Sequence, residues 1–293
     1  MVPRFVDVEF TARCNLSCGF CFGPSLDKCG PDLPTAFWLS ALRWIREAGA
    51  QGIVASGGEP TLRKDITVLL AHARQLGLSV VLSTNGRNRR TLLRCAQHAD
   101  WISLPVDGVT RKTLAAMRGT PWGLHEAASR IADARAVNPG LRIKLGTVAT
   151  CRNAGELLDL ARQIRDTHVR IDTWKIYQYT PRRRFVGRES EYTISDLDFR
   201  SLCGRIAREL GNPEFEVVFS SRHSRRRAYL LVCPDGALAT PEVENSTEEV
   251  VYGNLYREGP SALQKVGSVD ARNHSENYLS TYPDNPNKDA HVS

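Results

Sequence analysis

The sequence predicts an α/β protein: a partial (β/α)6 barrel of parallel strands, followed by a small C-terminal α+β extension. Three observations carry that prediction. Apolar runs of strand length alternate with amphipathic helical stretches from residue 5 to about 180. Each helical stretch can serve as the crossover that parallel strands require. The alternation then stops short of the roughly 250 residues that a closed eight-fold barrel takes.

The elements follow in order. Phe5 to Phe10 alternates like a strand, and Thr35 to Ala48 has helical spacing with Thr35 as its N-cap. Gly52 to Ser56 is a short buried strand. Asp65 to Leu76 is a helix closed by Gly77. Leu78 to Ser83 reads as a strand, Arg90 to His98 as a helix, and Trp101 to Val106 as the fourth strand. Leu124 to Ala136 is a helix ending near Asn138-Pro139-Gly140. Leu141 to Thr150 and Thr173 to Tyr179 are strands, with a helix from Ala154 to Asp166 between them. Beyond 180 the chain is arginine-rich. A helix is expected over Asp196 to Leu210. Tyr229 to Val232 and Ala237 to Thr240, around Pro234-Asp235-Gly236, read as a β-hairpin.

The 293 residues hold 39 Lys+Arg against 32 Asp+Glu, a net charge of +7, and 42% are hydrophobic. Such a composition folds around a core instead of staying disordered. No apolar run reaches the 18 or so residues of a membrane span. The first residues meet Asp7 and Glu9 without forming a signal-peptide core. A reducing cytoplasm is the expected compartment, so the eight cysteines are not read as a disulfide framework.

Three of those cysteines, Cys14, Cys18 and Cys21, crowd into one loop directly after the first strand. Thiolates bind zinc, copper(I) or iron–sulfur clusters. Structural zinc takes four ligands, usually in two separated pairs. Three cysteines in one loop suit a cubane cluster with three protein-held irons and one open iron. The Cys-x3-Cys-x2-Cys spacing, with Phe20 before the third cysteine, resembles the radical S-adenosylmethionine superfamily. The resemblance implies a [4Fe–4S] cluster at Cys14, Cys18 and Cys21, with S-adenosylmethionine chelating the open iron. It further implies a 5′-deoxyadenosyl radical that takes hydrogen from a substrate, and an electron donor of flavodoxin or ferredoxin type. The cofactor carries that chemistry, and the protein orients it and excludes water.

Ser56-Gly57-Gly58-Glu59-Pro60 follows the second strand. Alone it is an ordinary strand-to-helix turn. One βα unit after the cysteines, it is similar to the family's glycine-glycine-glutamate motif. Gly57, Gly58, Glu59 and Pro60 are therefore expected at S-adenosylmethionine. The glycines would let backbone approach the ligand, and Glu59 would accept from the methionine ammonium. Phe20, Ser83, Asn85 and Ser103 join them as cofactor candidates, at the strand ends where parallel barrels build active sites. After residue 180 only Cys203 and Cys233 remain, too few for a second Cys₄ cluster. The implied division is a cluster- and cofactor-binding barrel over 1–180, an extension closing it over 181–268, and a polar, mobile tail over 269–293.

Lys144 and Lys175 fall inside strands, where unpaired lysine is rare. The arginines at 182–184 and 225–227 suit either an anionic partner or a solvated basic face. The core Cys14 to Phe22, Arg118-Gly119, Lys144 and the strand Trp174 to Gln178 resemble the viperin-like branch, which dehydrates nucleoside triphosphates. Ile176 and Thr173 depart from it, the latter where an arginine is expected. The resemblance implies Arg118, Lys144, Lys175 and Gln178 as substrate residues; Lys144, Lys175 and Tyr177 are the catalytic candidates. Lys175, Tyr177 and Tyr179 share one strand face and Gln178 takes the other. Tyr177 is a hydrogen donor or relay if that face is the inner one, and otherwise packing. The expected function is hydrogen abstraction from an anionic small molecule, with a nucleotide first. The alternative is a tailoring enzyme for a sugar, nucleoside or peptide. A metal-stabilised nucleic-acid-binding protein has only the basic balance behind it, and no nucleic-acid motif is visible.

Overall fold

The computed structural model describes residues 2–23, 30–181, 189–225, 229–241 and 249–266. The expectations for the arginines at 182–184 and 226–227 and for the tail over 269–293 fall outside these residues. Among the described residues, ten strands form one sheet in the order β10-β9-β8-β1-β2-β3-β4-β5-β6-β7. They are β1 (Phe5–Glu9), β2 (Gly52–Ser56), β3 (Ser79–Ser83), β4 (Trp101–Pro105), β5 (Arg142–Ala149), β6 (Thr173–Gln178), β7 (Glu216–Ser220), β8 (Leu231–Val232), β9 (Ala237–Pro241) and β10 (Glu249–Asn254). The helices are α1 (Thr35–Glu47), α2 (Ile66–Gln75), α3 (Arg89–Ala96), α4 (Arg111–Arg118), α5 (Leu124–Val137), α6 (Leu157–Asp166), α7 (Asp196–Leu210), α8 (Leu255–Glu258) and α9 (Ser261–Gln264).

β1 to β6 pair in parallel, as the alternating pattern predicts, and β7 adds a seventh parallel strand beyond β6. Its apolar run is short and its neighbourhood arginine-rich, which hides one more βα unit. At the other edge β8 runs parallel to β1, and β9 and β10 return antiparallel. α4 is also absent from the sequence reading. It buries only Leu114 and Met117, too thin an apolar stripe to show a helical period. Thr35 is not a cap. Pro34 occupies that position, and the Thr35 hydroxyl instead donates to Asp65 Oδ2 at 2.7 Å, tying α1 to α2.

Strand alternation divides the interior in two. Val6, Val8, Ile53, Ala55, Val80, Leu82, Ile102, Ile143, Leu145, Trp174 and Ile176 face the helices and join the main core. On the other face, Phe5, Val54, Val81 and Trp101 form a separate fully buried cluster that plugs one end of the barrel. Above this floor the inward residues turn polar. Ser83, Ser103, Lys144, Thr173 and Glu216 are successive register partners across β3 to β7. No helix of the described residues is long and apolar enough to cross a membrane.

Trp101 is the largest side chain of the floor. Trp101→Ala is expected to cost about 3–5 kcal/mol, read as a lowered midpoint in urea unfolding with an unchanged slope.

Candidate active site

The cysteine loop leaves the C-terminal end of β1. Its neighbours are held by backbone pairing. Gly58 N donates to Thr11 O at 2.7 Å, and Glu59 N to Arg13 O at 2.8 Å. A Cβ on Gly57, whose φ is +128°, would lie 2.3 Å from Thr11 O, and one on Gly58 2.2 Å from Arg13 O. These glycines therefore let the turn after β2 press against the cysteine loop itself, a closer requirement than the predicted approach to a ligand. Pro60 opens the 3₁₀ turn Pro60–Leu62 and is buried.

Glu59 is 1% exposed, and its carboxylate joins two segments, the turns after β2 and β3. Oε1 accepts from Thr61 N at 3.0 Å, Thr61 Oγ1 at 2.6 Å and Thr84 Oγ1 at 2.7 Å, while Oε2 accepts from Asn85 N at 2.7 Å. Asn85 extends the tie by donating its side-chain amide to Asn15 Oδ1, 2.8 Å away in the cysteine loop. The sequence reading assigned Glu59 and Asn85 to a ligand. In the structure both brace the loop that carries the cysteines. Thr61 and Asn15 escaped that reading, because nothing in their local pattern marks them as partners of Glu59 and Asn85.

Each predicted metal-binding sulfur accepts a hydrogen bond. Leu16 N is 3.4 Å from Cys14 Sγ, Gly23 N is 3.3 Å from Cys21 Sγ, and Arg118 Nη1 is 3.9 Å from Cys18 Sγ. Among the described residues no three His, Cys, Asp or Glu side chains converge on a single ion. A cubane cluster does not ask for that convergence, because each cysteine holds a different iron. N–H donors to the sulfurs are also what iron–sulfur clusters exploit, so this donor set fits a cluster better than zinc. Burial pushes the Cys18 thiol up to about 11, and metal coordination is what deprotonates such a thiol. Phe20 is buried beside Cys18, Met117, Tyr179 and Tyr192.

The inward residues of β5 and β6 meet above the hydrophobic floor. Lys144 and Lys175 are each 4% exposed. Lys144 Nζ lies 3.5 Å from the Tyr177 hydroxyl, and Lys175 Nζ lies 5.2 Å from the Tyr177 ring centroid. Arg225 joins them from the segment after β7. It is 5% exposed, with its guanidinium 5.7 Å from the same ring. Its donors go to Ser220 O at 2.8 Å, to Gln178 O and to Thr180 Oγ1, all neutral acceptors. Burial pushes Lys144 down to about 8, against the pull of Asp7. Burial lowers Lys175 well below the usual lysine range, and repulsion from Lys144 and Arg225 adds to the shift. Burial raises Tyr177. Lys175 makes no hydrogen bond or ion pair among the described residues. The inward hydroxyls of Ser83 and Ser103 make none either. Gly146 lies between the two lysines on the inner face of β5, with Ser103 Oγ and the Tyr177 ring near its hydrogen.

Gln178 is not brought to this group. Its amide donates to Asp196 Oδ1 at 2.6 Å and to Ile194 O, and its carbonyl accepts from Arg222 N at 3.0 Å. Arg118 is paired with fully buried Asp107 beside Cys18. Asp7 was missed by sequence reasoning, although it had one legible signal, since it shares the inner face of β1 with Phe5. Arg225 was read only as part of the run at 225–227, for an anionic partner or a solvated face, and the run gave no sign of which arginine is buried.

A sequence profile of the Radical SAM superfamily matches residues 8–164. The S-adenosylmethionine-dependent nucleotide dehydratase of Selenomonas ruminantium is 28% identical over 86% of this chain and 90% of its own length. The protein of the same name from Flammeovirga pacifica is 29% identical over 68% and 71%. The fold is similar to Streptococcus suis SuiB, solved bound to S-adenosylmethionine, with a TM-score of 0.71 at 17% identity over 92% of this chain and 67% of that one.

Glu59→Gln presents an amide N–H to the Asn85 N–H. It is expected to lower the stability of the metal-free protein by about 1–3 kcal/mol, measured by thermal unfolding. Unchanged metal-free stability would confine Glu59 to a ligand.

Proposed function

The chain belongs to the Radical SAM superfamily, and on that premise we propose that it abstracts hydrogen from a nucleoside triphosphate and dehydrates it. The family works with a [4Fe–4S] cluster and S-adenosylmethionine, which when bound supply a 5′-deoxyadenosyl radical. In this reading Cys14, Cys18 and Cys21 hold the cluster, and Phe20, Gly57, Gly58, Glu59, Pro60, Ser83, Asn85 and Ser103 form or brace the cofactor's seat.

The observation that carries the substrate class is Lys175, a buried amine with no hydrogen bond or ion pair among the described residues. Burial disfavours its charged form, and two further basic groups, Lys144 and Arg225, stand around the same Tyr177 side chain. A polyphosphate would bring the negative charge that favours the charged forms, because phosphate is best gripped by several charged donors together. Likeness over most of the chain to two nucleotide dehydratases supports the same class. Arg225 supplies from the segment after β7 a guanidinium that β6 lacks at Thr173. Loss of water requires a proton for the departing hydroxyl. Lys144, charged below about pH 8 and in reach of Tyr177, is the group assigned to hold it. Gln178 has no part in this reading.

The test is anaerobic turnover of reconstituted, reduced protein with nucleoside triphosphates, nucleosides, sugars and peptides supplied separately. A burst of 5′-deoxyadenosine with one triphosphate, and a product lighter by one water, is expected. Lys175→Met should raise KM for that triphosphate at least tenfold and leave substrate-independent 5′-deoxyadenosine formation intact. A burst with a peptide alone, or an unchanged KM, sinks the reading.

The proposal also fixes a pH dependence. Lys144 attracts an anion only as the ammonium, so kcat/KM should fall as pH rises through about 8. A kcat/KM flat to pH 9.5 removes Lys144 from substrate binding.

A further inference from the structure

We propose that Arg118 sets the reduction potential of the cluster held by Cys14, Cys18 and Cys21, and that Asp107 moderates its charge. The inference rests on the assignment of those cysteines to the cluster and is independent of the substrate.

Arg118 is the last residue of α4, and its guanidinium is fixed on three sides. Nε pairs with Asp107 Oδ2, Nη1 stands 3.9 Å from Cys18 Sγ, and the guanidinium carbon lies 5.2 Å from the Phe20 ring centroid. The Arg118 side chain is 15% exposed and that of Asp107 0%. Asp107 is itself locked in place. Its Oδ1 accepts from Val148 N at 2.8 Å, and its backbone carbonyl accepts from Asn153 Nδ2 at 2.8 Å. The donor to Cys18 is therefore a permanent cation at a set distance in a water-poor site. The donors to Cys14 and Cys21 are neutral backbone amides.

Cluster potentials follow net charge, hydrogen bonds to the sulfurs and solvent exposure. When the [4Fe–4S]²⁺ state takes one electron from a low-potential one-electron donor, the site gains one negative charge and no protein bond forms or breaks. A guanidinium beside Cys18 favours the reduced state. The Asp107 carboxylate, one side chain further away, opposes it. Removing either charge should then move the potential in opposite directions, which a purely structural pair cannot do.

The experiment is an anaerobic redox titration followed by electron paramagnetic resonance, on reconstituted full-length protein without S-adenosylmethionine. Wild-type iron content and a reduced-cluster signal first test the cluster assignment. Their absence refutes that assignment, and with it this inference. Arg118→Met should disfavour reduction about tenfold, a shift of −59 mV for one electron. Asp107→Asn should shift the potential upward, and Arg118→Lys, which keeps the charge, should fall between wild type and Arg118→Met. If Arg118→Met fails to assemble a cluster, the sign of the Asp107→Asn shift decides. Potentials within twofold in equilibrium constant of wild type overturn the proposal. So do shifts of the same sign in the Met and Asn variants, or shifts that appear only when S-adenosylmethionine is added.

Discussion

Parallel register is the constraint on which the rest of this structure depends. Side chains alternate along a strand, so once one face is committed to the helices the other must face the axis. The helix-facing set is mostly apolar and joins the main core. The axis-facing set forms an apolar floor from Phe5, Val54, Val81 and Trp101. One level up, the same register lines up Ser83, Ser103, Lys144, Thr173 and Glu216. The polar level costs stability where nothing binds it, and that cost is what equips the interior to bind.

Two electrostatic designs share this interior. Beside the cysteine loop, Arg118 is matched by Asp107, so charge is close to neutral and positions are fixed. Around Tyr177, Lys144, Lys175 and Arg225 outnumber Asp7 and Glu216 among the described residues, and burial lowers the lysines. A matched pair holds opposite charges at fixed places beside Cys18. A surplus of cations suits a ligand that brings the missing negative charge.

Glu59 connects the strands to the cysteine loop. By accepting from Thr61, Thr84 and Asn85, it turns the ends of β2 and β3 into one rigid support, and Asn85 passes that support to Asn15. The tight contacts at Gly57 and Gly58 complete it. A cluster whose cysteines all sit on one loop needs such bracing, because the loop itself has no regular hydrogen bonding.

Local pattern alone determined a good part of this protein. Six strands, most helices and the cysteine spacing were legible, because apolar period and thiol chemistry are properties of neighbouring residues. Lys144 and Lys175 were legible as anomalies, since lysine inside an apolar strand is costly without a partner. β7 and α4 were not, because their apolar stripes are too short to stand out. Tertiary structure alone decided the partners. It turned Gln178 outward to Asp196, set Arg118 on Asp107 and Cys18, and brought Arg225 beside Tyr177 from 48 residues away in the chain. The physical reason is that charge pairing acts through distance in space. A sequence displays which groups are charged, and only the folded register decides which of them meet.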